Sequence, residues 1–156
     1  MLAALAIAVG VVECVQGLRR AGALGSLAAR KLMHTAAVAL AALCAGDGLA
    51  DVAGRRFGVG ALGPLPWSRG KTWAGSFACL VGSWAASLGI IMYLRAFGLP
   101  LGVGHLSAAQ LSSGCALCAA AAALVESLPV KEVDNITVPL TAAVAAGWAF
   151  GAGGAG

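Results

Sequence analysis

The charged residues of this 156-residue chain are few, and many of them gather between positions 44 and 76. Asp47 and Asp51 stand four residues apart, a spacing that puts both carboxylates on one face of a helix. Two like charges on one face repel each other unless a cation lies between them, so the pair suits a divalent metal. Basic side chains follow the pair: Arg55, Arg56, Arg69 and Lys71. Such a set of side chains can hold a metal-bound polyphosphate.

Glycines are frequent in the same stretch, at Gly46, Gly48, Gly54 and Gly58. A glycine weakens a helix, but it lets a ligand or another backbone come close. Two interpretations follow. The glycines admit a ligand, or Gly54 and Gly58 form a small-residue face for packing against a neighbouring membrane helix.

The composition indicates an integral membrane protein. Hydrophobic residues make up 60% of the chain and charged residues 10%, which argues against a soluble protein. The net charge is +4, but the basic residues stand at the ends of apolar stretches and are not interleaved with aromatic residues, so we expect no nucleic acid partner. Lipid bilayer and nucleotide phosphate are the expected partners. One domain is expected over residues 1–156.

Hydropathy predicts an all-α, polytopic bundle of about five apolar helices. The predicted spans are 1–18, 73–98 and 106–126, and a last stretch over 136–150 has Pro139 in its first turn. The stretch 32–45 is short for a span and has basic residues at both ends.

Counting crossings places residues that are distant in sequence on one side of the membrane. Two spans separate Lys71 from Glu126, so the chain returns to the side that it left. The residues after the second span, which include Asp134 and Asn135, are therefore expected beside Asp47 and Lys71.

The five cysteines give no disulfide framework, because all of them lie in apolar runs where Cys acts as a small buried hydrophobe. The Cys115-x-x-Cys118 pair has no second pair and no nearby His, so we interpret it as packing rather than a metal site.

Several motifs resemble one family. GDGLADVAGRRFG at 46–58, PWSRGK at 66–71 and KTWAGS at 71–76 are similar to the signature of the CTP-dependent polyprenol kinases, which include dolichol kinase, phytol kinase and farnesol kinase. The phytol kinase branch matches best, and VESLP at 125–129 and DNITVPL at 134–140 resemble that branch as well. The resemblance assigns residues 42–150 to a nucleotide-binding core and residues 1–41 to N-terminal helices.

The resemblance implies a function. The family transfers a phosphoryl group from CTP, with Mg²⁺, to the hydroxyl of a membrane-dissolved prenyl alcohol, here phytol by preference, with farnesol or geranylgeraniol as other candidates. Asp47 and Asp51 would hold the metal, and Asp47, Glu126 and Asp134 would form the catalytic set. The expected nucleotide contacts are Gly54, Arg55, Arg56, Gly58, Lys71, Gly75 and Asn135. A chloroplast membrane is the expected location, with the endoplasmic reticulum as the alternative.

One departure from the family stands out. RKLMH at 30–34 resembles the RK-x-x-H sequence of an early phytol kinase helix, but here about a dozen residues join it to the GDG segment, where the family has several further spans. Two other functions stay open: a CTP:phosphatidate cytidylyltransferase-like enzyme, and a shortened relative that has lost these spans and does not catalyse the reaction.

Overall fold

The computed structural model describes residues 10, 13–23, 25–98, 103, 106–129 and 134–151. The side chains of Arg30, Arg69, Asp134 and Asn135 are outside this description, as are residue 131 and most of the predicted first span. Residues 13–20 are helical.

The described chain is a bundle of α-helices with one small β-hairpin. The helices are α1 (Ser26–Ala41), α2 (Gly48–Phe57), α3 (Trp73–Ala96), α4 (Ala108–Glu126) and α5 (Asp134–Gly151). The predicted all-α membrane bundle is confirmed. By length and composition, three stretches of the described residues could each cross a membrane: Lys31–Phe57, Trp73–Ala96 and Ala108–Glu126. The stretch Ile136–Phe150 is apolar but shorter.

The ends of α3 and α4 follow from local sequence. The Thr72 hydroxyl accepts a hydrogen bond from the Gly75 amide, which caps the start of α3. Ser107 and Gln110 form a reciprocal capping box at the start of α4. Gly98 ends the turn after α3 with a φ of 68°, a conformation that favours glycine. These signals fix where each helix begins and ends, within a few residues of the predicted bounds.

A π-helical turn, Ala42–Asp47, joins α1 to α2 without a break. The apolar stretch 32–45 is therefore part of a longer helical segment, because the helix continues to Phe57. The sequence-based interpretation of 32–45 as a short segment is wrong. The turn contacts each of the five helices, which makes it the centre of the bundle.

The segment between α2 and α3 forms a hairpin that hydropathy did not predict. Strand β1 (Pro64–Leu65) pairs antiparallel with β2 (Ser68–Thr72). Leu65 is opposite Ser68 and Pro64 is opposite Thr72, so residues 69–71 bulge out of the pairing. Gly70 within this bulge has a φ of 99°. The amide of Trp73 donates a hydrogen bond of 3.0 Å to the Gly63 carbonyl, which closes the base of the hairpin.

The core lies where α1, α3, α4 and α5 meet. Its largest buried side chains include Met33, Ile91, Leu94 and Leu111, and the buried thiols of Cys115 and Cys118 lie in the same cluster. Large apolar side chains also cover the outside of the bundle, as a lipid-facing surface requires: Phe77, Leu124, Leu140, Val144 and Trp148.

Two further expectations need correction. Helix α5 begins at Asp134, two residues earlier than predicted, so Pro139 lies in its second turn and not in its first. Cys14 and Cys44 are exposed rather than buried, whereas Cys79, Cys115 and Cys118 are buried as expected. All five thiols are free.

Candidate active site

The side chains of Lys71 and Glu126 meet at the end of the bundle. Lys71 Nζ donates a hydrogen bond of 2.6 Å to Glu126 Oε1, and the two side chains are 17% and 7% exposed. Lys71 comes from the bulge of β2, and Glu126 is the last residue of α4. The two helices between them return the chain to one end of the bundle, as the count of crossings predicts.

Asp47 is the last residue of the π turn, which packs against α3. The preceding residue, Gly46, packs against α3 so closely that a Cβ atom there would collide with the Ser83 hydroxyl. The π turn therefore lies directly against α3 at the position that precedes Asp47.

Asp51 lies in a different environment from Asp47. Its carboxylate accepts a hydrogen bond from Arg55 one turn later, and the two side chains are 58% and 74% exposed. Arg56 is also exposed. Although the two aspartates are four residues apart, the Asp47 carboxylate is partly buried, whereas the Asp51 carboxylate is exposed and already has a cationic partner.

The glycines of the predicted nucleotide site lie where α2 meets the start of α3. A Cβ atom on Gly54 would be 3.1 Å from the Thr72 hydroxyl, and one on Gly58 would be 2.7 Å from the Thr72 methyl group. A Cβ atom on Gly75 would be 3.0 Å from the Ala50 carbonyl. These contacts give the glycines a packing role, in agreement with the second interpretation of their spacing. A nucleotide contact remains a prediction.

The predicted site residues Asp134 and Asn135 have other outcomes, as does His34 of the RKLMH motif, which was not placed in the site. His34 is buried in the core, edge-on to Phe150 with ring centroids 5.5 Å apart. Asp134 and Asn135 begin α5, but their side chains are outside the described part of the structure.

The structure adds residues that sequence reasoning missed. Thr72 caps α3 and lies between it and two glycines, Gly54 in α2 and Gly58 just after α2. A Thr just before an apolar helix is a recognisable capping signal. The hydroxyls of Ser68 and Ser76 are buried, and neither has a hydrogen-bond partner among the described residues. Both serines stand within five positions of Lys71, and no sequence pattern marks them as buried.

Known proteins give this site a context. The chain is 38% identical over 121 residues to probable phytol kinase 3, chloroplastic, of Glycine max, covering 74% of this chain and 35% of that protein. It is 34% identical over 116 residues to phytol kinase 1, chloroplastic, of Arabidopsis thaliana, covering 73% and 36%. The chain is thus similar to phytol kinases over about three quarters of its own length.

The chain also resembles farnesol kinase, chloroplastic, of Arabidopsis thaliana, with 39% identity over 105 residues, 66% of the chain and 32% of that protein. It therefore spans about a third of the length of these curated relatives. No family model and no solved structure matches it.

Proposed function

We propose that this chain carries the phosphoryl-transfer centre of a prenyl alcohol kinase that uses CTP. The observation that carries the proposal is the similarity of this chain to proteins named phytol kinase and farnesol kinase. Phytol is the preferred alcohol, with farnesol and geranylgeraniol as candidates.

The depth of Asp47 agrees with a substrate that is dissolved in the bilayer. Asp47 precedes Phe57, the last residue of the candidate span, by ten positions, which corresponds to about 15 Å of helix. A carboxylate inside a membrane span is costly and usually serves a function. The hydroxyl of a prenyl alcohol could reach it from within the bilayer, while the nucleotide approaches from the water phase.

The donor set fits a metal that arrives with the nucleotide. Among the described residues no three His, Cys, Asp or Glu side chains gather as a metal site. Mg²⁺, however, usually binds one or two carboxylates together with substrate phosphates and water. Asp47 would hold it, with Asp51 as a second ligand once its contact with Arg55 opens. When bound, Mg²⁺ would neutralise charge on the transferred phosphoryl group.

The chain's own groups account for the remaining steps. Lys71 would bind phosphate oxygens, and Arg55, Arg56 and Asn135 would add further contacts. The buried hydroxyls of Ser68 and Ser76 would gain partners from a bound phosphate or its water.

In the transfer itself, Glu126 or Asp134 accepts the hydroxyl proton of the alcohol as its oxygen bonds to the γ-phosphorus of CTP. The bond from that phosphorus to the β–γ bridging oxygen breaks, and CDP leaves.

The product tests the proposal. Membranes that contain the chain are incubated with phytol and CTP labelled at the γ-phosphate, and in parallel with labelled ATP. We expect phytyl phosphate and CDP, with CTP used much faster than ATP. Release of pyrophosphate would instead indicate a cytidylyltransferase, and CTP binding without turnover a non-catalytic relative.

The location has its own test. The relatives are named chloroplastic, which supports a chloroplast membrane for this chain. A fluorescent fusion should colocalise with chlorophyll, and colocalisation with an endoplasmic reticulum marker would contradict this assignment.

A further inference from the structure

In the ion pair between Lys71 and Glu126, the carboxylate already occupies the ammonium group to which an anion would bind. The pair is short, at 2.6 Å, and both side chains are largely buried. In such surroundings a lysine beside a carboxylate is already charge-compensated. A phosphate that approaches the same ammonium group meets the negative charge of Glu126 at close range.

A nucleotide phosphate that takes the Lys71 contact now made by Glu126 therefore competes with this carboxylate.

Both partners stand where movement costs little secondary structure. Lys71 lies in the bulge of β2, next to Gly70. Glu126 is the last residue of α4, and the chain turns away at Ser127. A change of rotamer at either position leaves the helices intact.

We propose that Glu126 is an internal competitor of the nucleotide: it holds Lys71 in the nucleotide-free protein and is displaced when phosphate takes its place. Glu126 is then a positioning residue for nucleotide binding. This inference rests on the proposed function, since it takes CTP as the ligand of Lys71.

The experiment measures CTP binding to the whole chain in lipid nanodiscs without alcohol substrate, for the wild type and for Glu126→Gln. The amide keeps the size of the side chain and removes its charge. We expect Glu126→Gln to bind CTP roughly tenfold more tightly, because the competing anion is gone. In the absence of CTP the same variant should unfold at a lower temperature, because Lys71 has lost its carboxylate.

Competition thus predicts tighter CTP binding together with a lower unfolding temperature. A merely structural role of Glu126 would instead weaken both CTP binding and stability. Glu126→Asp, whose shorter side chain stretches the contact, should have an intermediate CTP affinity and provides a second variant should Glu126→Gln fail to fold. Glu13→Gln, the same change at an exposed site in residues 13–20, is the control and should match the wild type.

Equal or weaker CTP binding by both Glu126 variants, with CTP binding intact in the wild type, would overturn the competition and leave the proposed function standing. A lack of CTP binding by the wild type and by both variants would contradict the proposed function, and the competition with it.

Discussion

At the scale of single residues, two aspartates one helical turn apart have different environments. Asp51 is exposed and paired with Arg55, whereas Asp47 is partly buried, next to the closest contact between the π turn and α3. An exposed ion pair contributes little free energy, so Asp51 can exchange partners easily. A carboxylate at the depth of Asp47 is expensive to keep charged unless a ligand or a cation compensates it. Asp47 is therefore the more informative position to change.

We expect Asp47→Asn to lower turnover by about a hundredfold or more, because the amide cannot supply the charge that a metal-bound phosphate requires. The rate of phytyl phosphate formation at saturating CTP and Mg²⁺ is the measurement. Glu13→Gln serves as the charge-matched control. A near wild-type rate for Asp47→Asn, in protein that inserts normally, would remove this residue from the metal site.

Lys71→Met tests the cationic side of the site. Loss of one charge-assisted hydrogen bond to phosphate should weaken CTP binding by about 1.5–3 kcal/mol. Titration of the nanodisc-embedded protein with CTP measures the change, and Arg19→Met in residues 13–20 is the control for loss of an exposed basic residue. An unchanged affinity would exclude Lys71 from phosphate binding.

At the scale of elements, the contact between α2, the π turn and α3 depends on glycine. A Cβ atom on Gly82 would be 3.0 Å from the Ala45 carbonyl and 2.7 Å from the Leu49 side chain. Gly89, two turns further along α3, has nothing within 4 Å of the same position. The two glycines are in one helix and differ only in what they face.

This pair gives a matched test of the packing. Gly82→Ala should lower the free energy of unfolding by about 1–3 kcal/mol, because a backbone carbonyl cannot move away as a flexible side chain can. Gly89→Ala should stabilise the helix by up to about 1 kcal/mol. Reversible unfolding in detergent micelles measures both. If the two variants have equal stability, α3 does not pack on the π turn as closely as described.

The elements differ in how well the sequence predicts them. Helices α3 and α4 were predictable because apolar runs of span length are bounded by capping residues and a glycine turn. The hairpin was not, since its strands are two and five residues long and its pairing is irregular. The π turn was also missed, because nothing in the sequence distinguishes Ala42–Asp47 from an ordinary helical turn. Its wider path depends on contacts with the other helices.

At the scale of the whole molecule, the site depends on how often the chain crosses the membrane. The contact between Lys71 and Glu126 was predictable from the count of spans, because two crossings cancel whatever the orientation. The burial of that pair, and the exposure of Asp51 and Arg55, were not predictable. They depend on how far each helix end extends beyond its neighbours.

The crossings can be tested with single cysteines in a background without native cysteines. Val59→Cys and Leu128→Cys lie at exposed positions after α2 and α4, and Phe97→Cys lies at an exposed position after α3. A membrane-impermeant thiol reagent should label the first two from one side and Phe97→Cys from the other, because a bilayer about 30 Å thick separates them. Labelling of Val59→Cys and Leu128→Cys from opposite sides would separate Lys71 from Glu126 and contradict the site.

The π turn at Ala42–Asp47 has a consequence for how this helix tolerates changes of length. A π turn holds one residue more than the α-helical turn that would replace it. Deleting Cys44, which is exposed, should let the turn tighten into α-helix while α1 and α2 keep their faces towards the bundle. Ala39 lies in α1, which is ordinary α-helix without an extra residue in its turns. Deleting Ala39 would therefore rotate Met33 by about 100° relative to the residues that follow. The π turn thus holds one surplus residue, and natural loss of one residue would be tolerated there.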